Sequence, residues 1–326
     1  MKFRAHETFY IRKGWLSKGM KYIEKTGGEV FIDKSNNPMD VLGIGSNMVK
    51  SLRYWLLATG LTEEQSSGKR IQNFTDLGTL IYHNDRYLEE TGTLQLLQYK
   101  LASNEDFATS WYFFFNEFNL YEFTQNDFLT AIKNFIRMNS NESEKSSGTD
   151  RTLGDDFSCI INTYGMKKST DENINPENNI SCPFTELGLI NLLDGKKGIY
   201  RKSIPQVSSF NPYVVLAVIA DNSNGQQEIK MNDILQGKNN IGKIFNLDTI
   251  SMIEILRKAE KTGELKIIRT AGLDVIQITN PQNDFLYYAE KFYESIECHI
   301  KTDLKSGNAK NQKLNQQNKK SERTQK

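Results

Sequence analysis

The residues best equipped for chemistry open the chain, in the run His6-Glu7-Thr8-Phe9-Tyr10-Ile11-Arg12-Lys13-Gly14-Trp15. His6 and Glu7 can carry protons or bind a metal, Arg12 and Lys13 can hold phosphate, and Trp15 can stack or pack. A histidine that switches between acid and base near neutral pH would suit phosphodiester chemistry. The competing expectation threads this stretch beneath the first helix, with Arg12 paired to a carboxylate. A second candidate is Asp155-Asp156, close to Arg151. Carboxylate oxygens are what Mg²⁺ or Mn²⁺ takes in nuclease chemistry. Neighbours on a helix diverge by about 100°, so two adjacent aspartates do not converge on one ion. One is expected to cap the helix and the other to face solvent, with Asp156 kept as a remote metal ligand. A third candidate is Glu264-Leu265-Lys266, with Asp248 upstream. On a strand Glu264 and Lys266 would share a face, but the segment reads better as part of a β-hairpin.

Other chemistries leave no trace. There is no Walker lysine loop, no GxGxxG after a strand and no GxSxG, so no organic cofactor is expected. His6, His83 and His299 show no metal-ligand spacing with Cys159, Cys182 and Cys298. Three scattered cysteines make no disulfide framework and point to a reducing cytoplasm. No apolar run is long enough for a membrane span, and the first residues have no apolar signal core.

The elements that must position these residues can be read from periodicity. Met48, Val49, Leu52, Trp55 and Leu56 form one apolar helical stripe behind Ser46, a candidate N-cap, with Gly60 ending the helix. Residues 61–63 and 71–74 read as strands around the polar turn 65–70, and Thr75-Asp76 caps a further helix. Helix, glycine, strand, turn, strand, helix is the pattern of a winged helix-turn-helix, with a recognition helix at 46–59 and a wing at 61–74. Asn47, Lys50 and Arg53 on the helix and Lys69 and Arg70 at the wing tip lie where DNA phosphates would be met.

Residues 85–140 read as mostly helical. The run Trp111-Tyr112-Phe113-Phe114-Phe115 reads as a buried helix in preference to a base-stacking platform. Asn119 to Thr124 is expected to be a link, 139–148 and 167–179 polar loops, Cys182 to Ile190 a short capped helix, and Ile199 to Lys202 a strand. From Ser209 the first arrangement is expected to recur. Helices are expected at 212–220, 229–235 and 248–261, then strands at 264–268 and 275–278, and a closing helix at 285–300.

The formal charge of +1 conceals a polarised chain. Residues 305–326 carry seven basic residues against one acid, a net +6, which leaves −5 on the rest. So basic and aromatic-free a tail is expected to be disordered, either a solubilising end or a weak phosphate-binding arm.

Several segments resemble a bacterial family of unassigned function (DUF4007-like) encoded beside DNA phosphorothioation genes. They are HETFYIRKGWLSKG at 6–19, GIGSNMVKSLRYWL at 43–56, FTDLGTLIY at 74–82, ATSWYFFFN at 108–116, RTLGDDFSCIINTY at 151–164, CPFTELGLI at 182–190, GKIFNLDTISMIEIL at 242–256 and RTAGLDVIQI at 269–278. One branch resembles the DNA-nicking component of a single-strand phosphorothioation system. That branch works beside a cysteine desulfurase, an ATPase and an ATP-pyrophosphatase-type sulfur-transfer protein. The resemblance implies DNA, phage defence and a multiprotein complex, and it transfers no settled active site.

The expected fold is therefore mainly α, α+β with small β-wings. A winged-helix domain at 1–84, a helical middle at 85–205 and a second winged-helix domain at 206–300 are followed by a basic tail at 301–326. The expected function is DNA binding in a phosphorothioation and defence system, with metal-dependent nicking as its enzymatic version. His6, Glu7, Arg12 and Lys13 are the candidate catalytic residues. The alternative is a non-catalytic winged-helix adaptor or regulator. Homo-oligomerisation stays open.

Overall fold

A computed structural model describes residues 1–65, 67–139, 148–165, 181–270 and 273–298. The expected loop at 167–179, most of that at 139–148 and the basic tail lie outside the described residues.

Helix α1 (Trp15–Thr26) buries Trp15, Leu16, Met20 and Ile23 along one stripe. After the short α2 (Pro38–Leu42), capped by Asn37, α3 (Ser46–Ala58) buries Val49, Leu52, Trp55 and Leu56. Ser46 is its first helical residue, not its cap; that place belongs to Gly45, which offers no side-chain bond. Strands β1 (Thr62–Glu64) and β2 (Gln72–Phe74) pair antiparallel, Thr62 opposite Phe74. Thr75 Oγ1 accepts from Gly78 N at 2.9 Å, starting α4 (Asp76–Asp85). A Cβ on Gly78 would stand 1.9 Å from the Leu61 carbonyl oxygen, so only glycine lets α4 lie this close to the hairpin.

The middle of the chain is built on α5 (Thr91–Ala102), buried from Gly92 through Tyr99. Ahead of it, Asp85 holds the connecting turn by accepting from the amides of Glu89 (2.9 Å) and Glu90 (3.0 Å). Helix α6 (Thr109–Tyr112) runs into a π-turn at Phe113–Glu117, where Phe118 N reaches back five residues to Phe113 O at 2.9 Å. All five aromatics from Trp111 to Phe115 are buried, so the run is core. Helices α7 (Gln125–Asn139) and α8 (Asp150–Tyr164) follow.

Two expectations fail in this region. Residues 119–124 are not a plain link, because β3 (Glu122–Phe123) pairs with Arg201 and Tyr200. Cys182 to Ile190 is not a helix throughout: a 3₁₀ turn at Pro183–Leu187 gives way to β4 (Ile190–Asp194). With β5 (Ile199–Lys202) these make an antiparallel sheet ordered β3-β5-β4, so the middle is not purely helical.

The C-terminal part also runs helices into an antiparallel hairpin and a following helix, but with one strand more than the first. Helix α9 (Pro212–Ser223) is capped by Asn211. Residues 229–235 are not one helix: β6 (Glu228–Lys230) precedes α10 (Met231–Gln236). Next come α11 (Ile241–Ile244), α12 (Thr249–Glu260, capped by Asp248) and the hairpin β7 (Leu265–Thr270) with β8 (Leu273–Ile278). The sheet order is β6-β8-β7. The final helix, α13 at 285–298, returns to α5. Phe292 lies where a Cβ on Gly92 would meet it at 2.3 Å, and Tyr293 Oη bonds Thr93 Oγ1 at 2.7 Å. The fold is thus mainly α with small antiparallel sheets, an α+β arrangement in which α5 is covered by α6, the π-turn, the 183–187 turn and elements of the C-terminal part.

Candidate nucleic-acid interface

Residues 4–8 reverse the chain. Arg4, Glu7 and Thr8 have positive φ (55°, 51°, 66°), a conformation that L side chains enter at some strain. The turn drives His6 inward until it is 1% exposed. Its ring stacks on Trp55 at 6.0 Å and meets Trp111 edge-on at 5.7 Å. Nε2 lies 2.7 Å from Asp156 Oδ1, which also accepts from Arg4 N at 2.8 Å. Ser110 Oγ donates to Asp156 Oδ2 at 2.5 Å, and Arg4 Nε to Asp155 Oδ2 at 2.6 Å. Trp55 Nε1 and Ser51 Oγ donate to the Phe9 carbonyl at 2.9 and 3.3 Å. Burial, with the Asp156 charge adding, pushes the neighbouring Tyr54 phenol well above its ordinary value.

The cluster is a buried clasp fastening the N-terminal segment to α3, α6 and α8. The expected roles of the two aspartates change accordingly. Thr149 caps α8 by accepting from Thr152 N, Asp155 pairs with Arg4, and Asp156 lies inside.

Arg12 and Lys13 sit elsewhere. They line a cleft of about 430 Å³ with Tyr87, Leu88, Glu89 and Glu186, and neither His6 nor Glu7 lines it. Among the described residues Arg12 pairs with no carboxylate, and its guanidinium lies 5.8 Å from the Phe9 ring and 5.4 Å from Trp15. Lys13 is exposed and Glu7 half-buried. The fold therefore divides the four candidate catalytic residues: His6 is sealed in the clasp while Arg12 and Lys13 face a separate opening.

The five candidate DNA contacts fall on two neighbouring elements. Asn47 and Lys50 are exposed on α3, a turn apart, and Arg53 follows on the same strip. Arg53 Nε donates to Glu64 Oε1 at 2.6 Å, and its other end donates to the Arg70 carbonyl at 3.0 Å. Gln72 Nε2 donates to the Arg53 carbonyl at 2.9 Å. Arg53 is thus the tie that holds the hairpin against the helix, and it makes the Arg70 segment and the Lys50 strip parts of one surface. Lys69 is exposed, 3.7 Å from Glu29. Sequence reasoning missed Lys2, which joins this edge with its amine 3.9 Å from the Phe107 ring centre. Burial lowers its amine, Glu64 opposes that, and Arg70 and Arg53 add to it. Nothing in the local sequence marks Lys2, because only the reversal at 4–8 brings it there.

Asp156 does not fit a resident metal. Both of its oxygens are taken by donors. Among the described residues no three His, Cys, Asp or Glu side chains converge as a metal centre requires. Nor is any helix among them long and apolar enough to cross a membrane.

Residues 3–293 match the family described as "Protein of unknown function (DUF4007)". The chain belongs to the DUF4007 family. No curated protein matches it. Among solved structures, "Magnesium ion-bound SspB crystal structure" superposes with a TM-score of 0.77 at 24% identity, covering 90% of this chain and 88% of that one. "SspB crystal structure" gives 0.75 at 23% identity, covering 91% and 87%. At such identity the likeness establishes a shared fold along nearly the whole DUF4007 chain.

Proposed function

We propose that this protein is the DNA-binding component of a bacterial DNA phosphorothioation and phage-defence system, working in the cytoplasm. Its partners in that reading are a cysteine desulfurase, an ATPase and an ATP-pyrophosphatase-type sulfur-transfer protein. Helix α3 is the recognition helix and the β1–β2 hairpin its wing, with α12 and β7–β8 as a second such module. The carrying observation is the edge where Lys50 and Arg70, neither in an ion pair among the described residues, flank the Arg53 tie. Family membership and the fold shared with SspB support the reading. With −5 on the chain before residue 305, affinity for DNA is weak without the partner proteins.

Strand nicking with Mg²⁺ or Mn²⁺ is the second reading. It rests on the likeness to a magnesium-bound protein, and no constellation of described residues adds to it.

The test is fluorescence anisotropy of the full chain on duplex DNA from about 50 to about 200 mM salt. A Lys50→Ala/Arg70→Ala variant is expected to bind more weakly, with a log K against log salt slope shallower by about 2. An unchanged slope sinks the interface. Incubating the pure protein with supercoiled plasmid and Mg²⁺ separates the two readings, because binding without open circles leaves the adaptor.

A further inference from the structure

A further cleft lies away from both regions, between the β3-β5-β4 sheet and the C-terminal part. It has a volume of about 620 Å³ and is lined by Phe118, Tyr121, Lys202, Leu235, Lys243 and Asp248, among others. That size suits a drug- or nucleotide-sized ligand and greatly exceeds what a lone inorganic ion needs.

Lys202 is a buried cation without a counter-charge. It is 7% exposed and pairs with no carboxylate among the described residues. Its Nζ donates to the carbonyls of Phe114 at 2.5 Å and Phe118 at 2.6 Å. Of an ammonium's three donors these carbonyls use two, and the Phe114 and Phe118 rings lie 4.6 and 5.6 Å from Nζ without neutralising its charge. The Phe114 carbonyl is open to Lys202 because of the π-turn. In a regular α-helix Phe118 N would bond that oxygen, and here it bonds Phe113 instead. The chain has thus loosened a helix to hold an amine at the cleft. A buried charge left this way is costly, and proteins keep it where a ligand completes it. Burial, with Lys243 adding, pulls Lys202 down to about 7, and an anion seated against it would restore the ammonium.

The rest of the lining names the anion's class. Lys243, tethered to Asn119 Oδ1 at 2.7 Å, supplies a second cation. Asp248 opposes them, but one of its oxygens is engaged by Ser251 N at 2.8 Å as the cap of α12. Phe118, Ile204, Leu235 and Leu247 make an apolar wall, and Tyr121 beside them is 54% exposed, with the Arg201 guanidinium 5.9 Å from its ring. Two cations beside an apolar wall and an exposed aromatic suit a phosphate attached to a nucleobase.

We propose that this cleft binds a nucleotide by its phosphate, with Lys202 and Lys243 as the anion's partners and Tyr121 against the base. A free nucleotide and the 5′-phosphorylated end of a DNA strand offer the same chemistry. The proposal stands independently of the α3–hairpin edge.

Calorimetric titration of the full chain tests it with deoxynucleoside monophosphates, the parent nucleosides, inorganic phosphate and matched oligonucleotides with 5′-phosphate or 5′-hydroxyl ends. The monophosphate is expected to bind at least about tenfold tighter than either the nucleoside or inorganic phosphate, a difference of about 1.4 kcal/mol. A preference for the 5′-phosphorylated oligonucleotide over the free nucleotide assigns the site to strand ends, and the reverse assigns it to free nucleotide. Lys243→Ala and Lys202→Met are each expected to weaken monophosphate binding about tenfold. Lys243 is on the rim, so its variant reports even if Lys202→Met folds poorly. Equal binding of nucleoside and monophosphate, or undiminished binding by Lys243→Ala, overturns the proposal.

Discussion

Asp156 offers the sharpest test of whether the N-terminal cluster is a clasp or a reaction centre. Replacing it with alanine strips an acceptor from the buried Ser110 Oγ and His6 Nε2 and from the part-buried Arg4 N at once. His6 would then be stranded, since its Nδ1 has no partner among the described residues. Removing one member of a buried charged network costs about 3–5 kcal/mol. At about 2.1 cal/mol/K per residue, the described residues unfold with an entropy of about 0.6 kcal/mol/K, so the melting temperature should fall by about 5–9 °C. Asp156→Asn keeps the volume and one carbonyl oxygen, and the Ser110 hydroxyl can rotate to accept, so its loss should be about 1–2 kcal/mol. Differential scanning calorimetry of the two variants measures both. A shift under about 2 °C for Asp156→Ala would refute the clasp energetics. Unchanged melting and DNA affinity together with lost strand cleavage would show that Asp156 reaches substrate, against the burial argument.

Three further outcomes follow from particular contacts. Because Lys202 is lowered to about 7 from an ordinary 10.5, the unfolded chain binds the extra proton between those values, and this residue's contribution to stability rises with pH across that window. Wild type should therefore gain on Lys202→Met in denaturant midpoint from about pH 7 to about pH 10, and a gap independent of pH would contradict the burial. Gly78→Ala places a carbon 1.9 Å from the Leu61 oxygen, so it should cost about 3 kcal/mol or more in urea unfolding; a cost under about 1 kcal/mol would show that α4 can shift. Tyr293→Phe removes the bond to Thr93 that pins α13 to α5 and should cost about 1 kcal/mol, with faster hydrogen exchange in 285–298 as the local readout.

What could be read from the sequence was what neighbours decide. The stripe from Met48 to Leu56 produces α3 because a 3.6-residue period places those side chains on one face, and Thr75 announces α4 through a cap three residues long. The aromatic run was legible as core because so much apolar area has nowhere else to go. Pairings across long separations were not legible. β3 is a strand only because Arg201 and Tyr200 lie opposite it, and Ile229 leaves the expected helix because Ile276 of β8 pairs with it. At the candidate site, His6 and Asp156 were each picked out by type, yet their bond spans 150 residues and turns two expected reactants into a fastening. Arg53 was read as a phosphate contact, and its ties to Glu64 and Arg70 add the task of holding the hairpin. Lys2 was missed because only the reversal at 4–8 brings it to that edge, and Lys202 because burial, not local sequence, sets it apart.

The π-turn at Phe113–Glu117 also constrains how this protein can change over generations. One surplus residue in that helix and one lysine on a strand far along the chain satisfy each other through the Phe114 carbonyl. Deleting a residue from the turn would let the α-helical bond re-form and withdraw the oxygen, leaving Lys202 with less to hold it. Replacing Lys202 alone would leave the oxygen bare. Each change is harmful singly, and the two together are far less so, because the regular helix satisfies its own carbonyl and no charge remains to be held. The aromatic segment and β5 should therefore vary as a linked pair among related chains, with insertion length in one predicting the residue type in the other.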